Sequence, residues 1–551
     1  MITEEVGVAT VGRAASAGKG RVGVTNGEPD LTAWVDAIVS RHPAVGLVGG
    51  VVRVGRPPVL HVHGFADIAS GTLVTQDTVF RIGSLTKMFT AVAILQLAEQ
   101  GLVDLDAPAN GYLRAYALVP ASAGWRPATL GHLLTHTAGI PDARGLADLR
   151  HASLTPDGGR PAHLSVRAGQ PVPSLARYYR EGLREVVEPG TAFAYTNHGF
   201  ATLGQIVEDV SGQPLGSYFR EHVFGPLGME DTDIARSDRV AARLATGYAF
   251  GRSGPKPVPD REWTCPGAGG IYSTPRDVAR FAAALLCGGA NDHGRIIEPA
   301  TLATIFERHY QPDPRIPGVG LGVFRGNIGG HRVAGHDGIL PGFNSAFLVA
   351  PDDGVGVFAF TNGSSGAFAW LRIELELLLR QLLDLPGEGV ARNVPHRPEV
   401  WPELCGRYVF PPRISDLRER LMQGGGAQVF VRGGRLMVRL LTPVPALFRG
   451  LPLQPADVHD PEVFRLDLSA AGMGSLRVVF GRGADGRVNA VHTDLGGQPW
   501  SLRRQSDSPA HRAWLRSALG ALVVGGAPAA PRRRGGRWKV DADGVNARDV
   551  R

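Results

Sequence analysis

Ser84-Leu85-Thr86-Lys87 sets a serine and a lysine three residues apart at the head of a strongly apolar run. On a helix, positions i and i+3 share a face, so the hydroxyl and the amine can meet. A serine hydroxyl becomes a nucleophile when a base takes its proton, and a lysine can be that base once burial lowers its pKa. The start of a helix also aims free backbone N–H groups at developing negative charge. A second set, Tyr195-Thr196-Asn197, follows Glu188-Pro189-Gly190. A tyrosine beside a lysine can carry a proton, and an asparagine can hold a substrate amide. A third, His336-Asp337-Gly338, stands just before a strand-like run. Gly338 would let a substrate backbone approach, and N–H groups there could complete an oxyanion hole. Each set alone is a common chance pattern. Their order and spacing in one chain is what carries weight.

These residues need a scaffold. Leu85, Met88, Phe89, Val92, Ala93 and Leu95 give Ser84 to Glu99 the apolar pattern of a buried helix. Leu31 to Val39, Leu130 to His136, Phe200 to Val210, Thr274 to Leu286 and Trp370 to Leu383 also read as helices. Val45 to Val54 and Val59 to His63 read as a hairpin turned at Gly55 to Pro58, and Ser345 to Ala350 and Gly356 to Asn362 as strands joined at Pro351-Asp352-Asp353-Gly354. Strands, then helices, then strands and a closing helix predict an α+β architecture around an antiparallel sheet. Residues 385–400, rich in Gly and Pro, read as a linker. Beyond it, Gly406 to Phe410, Ala427 to Arg432, Arg435 to Leu441, Glu462 to Leu468 and Ser475 to Phe480 are short strand-like runs between Gly-containing turns, the texture of a small barrel or sandwich. The expected organisation is a disordered leader (1–30), a catalytic domain (31–384), the linker, a barrel domain (401–505) and a basic flexible tail (506–551).

The three sets match those of penicillin-binding proteins and β-lactamases. The chain resembles the class C β-lactamase-like branch of serine hydrolases through FRIGSLTKMFTAVAILQLAEQGLVDLD, LGHLLTHTAGI, FAYTNHGFATLGQIVEDVSGQPLGSYFREHVFGPLGMEDT, GAGGIYSTPRDVARF and GHDGILPGFNSAFLVAPDDGVGVFAFTN. That resemblance covers roughly residues 31–384. It implies a transpeptidase-like fold, an antiparallel sheet flanked by helices, with a C-terminal barrel similar to lipocalin-like domains of some members. It implies an acyl-enzyme on Ser84, proton transfer by Lys87 and Tyr195, an oxyanion hole from the N–H groups of Ser84 and Ile339, and substrate contacts at Asn197, His336 and Gly338. Which of Lys87 and Tyr195 is the base stays open. His336 stands where KTG members carry lysine, which favours a small ester or D-amino-acid amide over a β-lactam. A different class, a slow-turnover protein acylated by peptidoglycan fragments or β-lactams as a sensor, is the alternative. The intact Ser84, Lys87 and Tyr195 set argues against a pseudoenzyme.

Of 551 residues, 43% are hydrophobic and 20% charged, an ordinary globular balance for more than one domain. The net charge of +7 is concentrated at the end: residues 506–551 hold nine Lys and Arg against four Asp and Glu, leaving +2 for the rest. That reads as a solubilising tail, and no nucleic-acid partner is expected. Cys265, Cys287 and Cys405 are far apart and outside any CxxC spacing, so neither a disulfide framework nor a zinc site is indicated. His61-Val62-His63 reads as alternating strand residues, and His132 and His136, at helical i, i+4 spacing, lack the Glu of HExxH. No GxSxG elbow is present, and Gly267-Ala268-Gly269-Gly270 reads as a loop against the active site instead of a phosphate loop. The expectation is a metal-independent enzyme with no cofactor and a small ester or amide substrate. Neither a secretory signal nor a transmembrane run is visible, which gives a cytoplasmic expectation. Oligomeric state is not encoded in any feature.

Overall fold

The computed structural model describes residues 24–25, 28–142, 165–251, 253–386, 394–411, 425–441, 445–469 and 474–505. Most of the expected leader, the middle of the linker, residues 143–164 and the basic tail lie outside these residues. Within the expected leader, Val24–Thr25 pairs with Glu28–Pro29. The chain divides into two units, residues 1–504 and 505–551, and of the second only Gln505 is described.

Helix α1 (Leu31–Arg41) leads into strands β1 (Gly46–Arg53), β2 (Val59–Asp67) and β3 (Thr72–Leu73). Helices α2 (Thr86–Glu99), α3 (Asn197–Ser211) and α4 (Pro275–Leu286) follow. Strands β4 (Phe324–Ile328), β5 (His331–Leu340), β6 (Phe343–Ala350) and β7 (Val355–Thr361) precede helix α5 (Ala367–Leu382). The strands form one antiparallel sheet in the order β4-β5-β6-β7-β1-β2-β3. The first strand in sequence therefore pairs with the last, closing the sheet's centre with residues three hundred positions apart.

Both faces of this sheet are covered, so its central strands are buried on both sides. Along β1, Leu47 and Val51 join Trp34, Val35 and Ile38 of α1 and Trp370, Leu371 and Leu375 of α5. Val48 and Val52 face the opposite way, with Phe347, Phe358 and Phe360, toward α2, α3 and α4. The two-residue alternation of a strand sorts one sequence run into two cores. Helix α2 sits deepest: from Thr78 to Leu97 every residue is buried except Ser84. That burial is why its apolar positions run all the way round.

The second part of this unit is a closed eight-stranded antiparallel barrel. Its strands are β8 (Gly406–Val409), β9 (Ala427–Arg432), β10 (Arg435–Leu440), β11 (Leu451–Pro455), β12 (Val463–Asp467), β13 (Ser475–Arg482), β14 (Val488–Thr493) and β15 (Trp500–Arg504). Tyr408, Leu436, Leu453, Phe464, Val478, Phe480, Val491 and Leu502 belong to its core, as expected when eight strands leave room for side chains alone. Sequence reading found five of the eight strands. Strand β11 carries Pro452 and Pro455, which argue against a strand when read locally. Strands β14 (VNAVHT) and β15 (WSLRR) each carry two buried large apolar residues among polar ones, too few to stand out as strand-like runs.

The barrel is fastened to the sheet-and-helix part. Arg315 bonds Asp313 at 2.9 Å and reaches Asp460 at 2.9 Å, Glu462 at 3.2 Å and the Phe480 carbonyl at 2.8 Å. Ile316 packs with Val463 and Val479. Among the described residues no helix is long and apolar enough to cross a membrane.

Candidate active site

Ser84 lies in a 3-10 turn, Gly83–Leu85, and the α-helix proper begins at Thr86. The sequence expectation of one helix from Ser84 differs here, because the chain must bend to lay Ser84 against β5. Gly83 has φ +56°, and a Cβ on it would come within 3.2 Å of Gly338 Cα and Ile339 N. A Cβ on Gly338 would sit 2.1 Å from the Ile82 carbonyl oxygen and 2.2 Å from Ser345 Oγ. Two glycines thus permit the backbone of the first motif to touch that of the third. Ser345 Oγ locks the approach by donating to the Ile82 carbonyl at 2.8 Å.

Three motifs converge on Ser84 and its neighbours. Tyr195 Oη donates to Ser84 Oγ at 2.8 Å, and Lys87 Nζ lies 3.0 Å from the same oxygen. Lys87 also donates to Asn197 Oδ1 at 2.7 Å and to the Ala268 carbonyl at 2.8 Å. Thr196 is the N-cap of α3, its hydroxyl accepting from Gly199 N, so Asn197 begins the helix. Capping thereby fixes both the phenol before the helix and the amide at its first turn. Ser84, Tyr195, Asn197, Asp337 and Ile339 are left at least partly open in otherwise buried runs.

The surroundings are dry and aromatic. Lys87 is fully buried, and its Nζ lies 4.9 Å from the centre of the Tyr195 ring and 5.6 Å from that of Phe200. Burial pushes the amine down to about 7, while the Asp142 charge holds it up. Burial also pushes His336 down to about 3, helped by Lys87. Its Nδ1 is 2.7 Å from the Asp337 carbonyl, so Nδ1 carries the hydrogen, and the buried Nε2 has no hydrogen-bond partner. This imidazole is neutral. Asp337 turns toward Arg372 of α5, its carboxylate oxygens 3.4 Å from Nη1, and Arg372 also bonds Glu376 at 2.9 Å.

The remaining histidines have structural places. The Leu130 helix ends at Leu134, so His136 is not on it, contrary to the i, i+4 expectation. His136 has φ +57°, and its Nδ1 accepts from Thr196 N at 3.1 Å. His132 completes a capping box with Thr129. His61 and His63 lie on β2 opposite Gly49 and Leu47. Gly267-Ala268-Gly269-Gly270 is not a loop: Pro266–Gly269 is one helical turn, and its Ala268 carbonyl is the acceptor for Lys87. Among the described residues no cluster of His, Cys, Asp or Glu could hold a metal ion.

Sequence reasoning missed Ala268, Asp142 and Phe193. Ala268 acts through its carbonyl, for which no side chain is a signal. Asp142 follows the LTHTAGI text by two residues and binds the Asn197 segment through four hydrogen bonds. Phe193 packs with Phe324 and with Trp500 of the barrel, and Tyr195 lies against the same cluster.

The Beta-lactamase family model matches residues 31–379. Penicillin-binding protein 4 of Amycolatopsis lactamdurans is 29% identical over 62% of this chain and 87% of its own length. The D-alanyl-D-alanine-carboxypeptidase/endopeptidase AmpH of Escherichia coli K12 is 31% identical over 45% of this chain and 59% of its own. The octameric penicillin-binding protein homologue from Pyrococcus abyssi matches in structure over 86% of this chain and all of its own, with 22% identity and a TM-score of 0.53. The chain therefore belongs to the Beta-lactamase family.

Proposed function

We propose that this chain is a serine hydrolase that forms an acyl-enzyme at Ser84 on a small ester or amide. The observation that carries the reading is the approach of both Tyr195 Oη and Lys87 Nζ to Ser84 Oγ, at 2.8 and 3.0 Å. Two acceptors, Asn197 Oδ1 and the Ala268 carbonyl, claim two N–H bonds of Lys87. In the neutral amine the third direction is a lone pair, and it points to Ser84. A pKa near 7 instead of 10.5 raises the neutral fraction at pH 7 by roughly three orders of magnitude. Lys87 is then the base. Ser84 gives it the hydroxyl proton and attacks the carbonyl carbon, and Tyr195 passes a proton to the leaving oxygen or nitrogen. The N–H groups of Ser84 and Ile339 stabilise the tetrahedral oxyanion, a role supported by the closeness of the two segments, since a Cβ added at Gly83 would lie 3.2 Å from the Ile339 nitrogen. Water, activated by Tyr195, then releases the acid.

The third motif narrows the substrate. A neutral His336 offers no positive charge to a carboxylate, and the Arg372 guanidinium behind the strand is already paired with Asp337 and Glu376. An uncharged ester or a D-amino-acid amide suits this wall better than a β-lactam carboxylate or a peptide C-terminus. Asn197 and Gly338 would hold the substrate backbone.

The test is intact-mass measurement after treatment with a serine-reactive fluorophosphonate, beside Ser84→Ala. One adduct on the wild type and none on the variant is the expected result. No adduct on folded wild type, or an adduct that survives in Ser84→Ala, would sink the assignment. An acyl adduct that forms from an ester and persists for hours would favour the slow-turnover sensor.

A further inference from the structure

We infer that Asp142 is a positioning residue for the proton relay, orienting the Asn197 amide so that its oxygen, and not its NH2, faces Lys87. The inference rests on Ser84, Lys87 and Tyr195 being the reacting set. The Asp142 side chain is only 2% exposed. Its Oδ2 accepts from Asn197 Nδ2 at 2.6 Å. Its Oδ1 accepts from Asn197 N at 2.6 Å, Thr196 Oγ1 at 3.0 Å and His198 N at 3.3 Å. An ionised carboxylate can only accept, so it pins the NH2 end of the amide and leaves the oxygen for Lys87. A flipped amide would turn donors against the Lys87 N–H bonds and would release the lone pair from Ser84.

Asp142 is itself held from behind. His198 Nε2 lies 3.1 Å from the Asp142 carbonyl, His198 Nδ1 lies 2.6 Å from Tyr179 Oη, and that phenol lies 3.8 Å from the buried Cys265 thiol. The carboxylate also sits at the start of α3, where the helix dipole favours negative charge. Its bonds to the N–H groups of Asn197 and His198 make it part of that helix's N-terminal structure.

A group that only stapled the loop to the helix would leave the base's proton affinity alone. Asp142 does not stand apart in this way. The titratable groups facing Lys87 are Tyr195, His136, His336, Cys265 and Asp142. His136 and His336 are held neutral by burial and by Lys87 itself, and burial pushes the Cys265 thiol up to about 12. Asp142 supplies the charge that offsets the burial of Lys87. Removing that charge lowers the Lys87 pKa further, so the neutral amine persists to lower pH.

The experiment follows the rate of Ser84 modification by a neutral fluorophosphonate, read by intact mass, between about pH 5 and 10. The full chain is used as wild type, Asp142→Asn, Asp142→Glu, Asn197→Ala and the Asp142→Asn/Asn197→Ala double variant. Asp142→Asn is expected to react at least about tenfold more slowly at its plateau, with its acid limb displaced to lower pH by about one unit. Asp142→Glu keeps the charge and keeps the wild-type limb. The double variant reacts within about twofold of Asn197→Ala, because the two act through one amide. A wild-type rate and limb in Asp142→Asn would overturn the role, and so would a slow rate with an unmoved limb, which marks plain structural damage. Additive losses in the double variant would do the same. Should Asp142→Asn fail to fold by near-UV circular dichroism, Asp142→Ser, which also removes the charge, is read in its place: a limb displaced downward there supports the role, and an unmoved limb overturns it. Absence of any Ser84-dependent adduct on folded wild type removes the reacting set itself and this role with it, a result recognisable before any Asp142 variant is compared.

Discussion

Trp500 of the barrel meets Phe193 edge to face, with ring centroids 5.6 Å apart and planes at 89°. Phe193 lies two residues before Tyr195 and also packs edge-on to His136, with centroids 5.8 Å apart. The barrel thus supports the wall behind the phenol through one ring. Trp500 is 5% exposed, and its buried indole N–H has no hydrogen-bond partner. Trp500→Ala should therefore cost about 3–5 kcal/mol of stability through lost packing and cavity formation. Trp500→Phe, which gives up no hydrogen bond, should cost no more than about 2 kcal/mol. Urea unfolding of both variants checks the ranking, and equal losses would contradict it. Ser84 labelling should slow in Trp500→Ala and stay close to wild type in Trp500→Phe.

Lys87 as base predicts the shape of the pH profile. With its pKa near 7, the amine is protonated and inactive below that pH and free above it. The rate of Ser84 acylation should rise about tenfold per unit as pH climbs toward 7 and level off above it. The profile is measured with an ester that does not itself titrate. A limb centred near 10 would point to a solvated lysine or to the phenol as the group that loses the proton.

Gly338 carries the contact between the first and third motifs. A methyl group there would meet the Ile82 carbonyl at 2.1 Å and Ser345 Oγ at 2.2 Å. The hydroxyl could turn away, but the carbonyl belongs to the backbone that leads into Ser84. Gly338→Ala should cost about 3 kcal/mol, the upper end of ordinary overpacking, and should lower Ser84 labelling by more than tenfold. Thermal unfolding and labelling on one sample separate the two effects. Near-wild-type values in both would show that the strand can yield.

How much of this was legible follows from what kind of group each residue contributes. Ser84, Lys87 and Tyr195 act through side chains of telling type, at fixed spacing beside patterned helices, and the three motifs do meet. The central sheet was readable because turns such as Pro351 to Gly354 interrupt apolar runs, and Gly354 has the left-handed φ of +63° that such a turn needs. The segment around Ala268 could be set against the site, but its bond to Lys87 could not, because a backbone carbonyl has no letter of its own. Phe193 and Trp500 are ordinary core residues until the fold sets them together across three hundred positions. The 3-10 turn at Ser84 was hidden for the same reason: its cause is Gly338, on a distant strand. In the barrel, Pro452 pairs with Met437 and Pro455 with Phe464, a register that only neighbouring strands could impose.

Two buried imidazoles at the site make the protein acid-sensitive in a defined direction. Burial lowers His336 to about 3 and His136 well below its ordinary 6.5. Both therefore stay neutral in the folded state while their unfolded counterparts take up protons as pH falls through 6.5. Their contribution to stability is complete above about 6.5 and is lost progressively below it. Each adds a slope of about 1.4 kcal/mol per pH unit once the unfolded histidine is protonated. Urea midpoints should fall between pH 7 and pH 4.5, and His336→Gln should flatten that fall by about one proton's worth while conferring no gain at pH 7. The variant loses an uncharged ring whose Nε2 has no partner and whose Nδ1 bonds the Asp337 carbonyl, so its cost at pH 7 reports that bond and packing against Phe324, whose ring centroid lies 4.5 Å away. An unchanged slope in the variant would mean that His336 is already protonated in the folded protein, and the argument against a carboxylate-bearing substrate would fall with it.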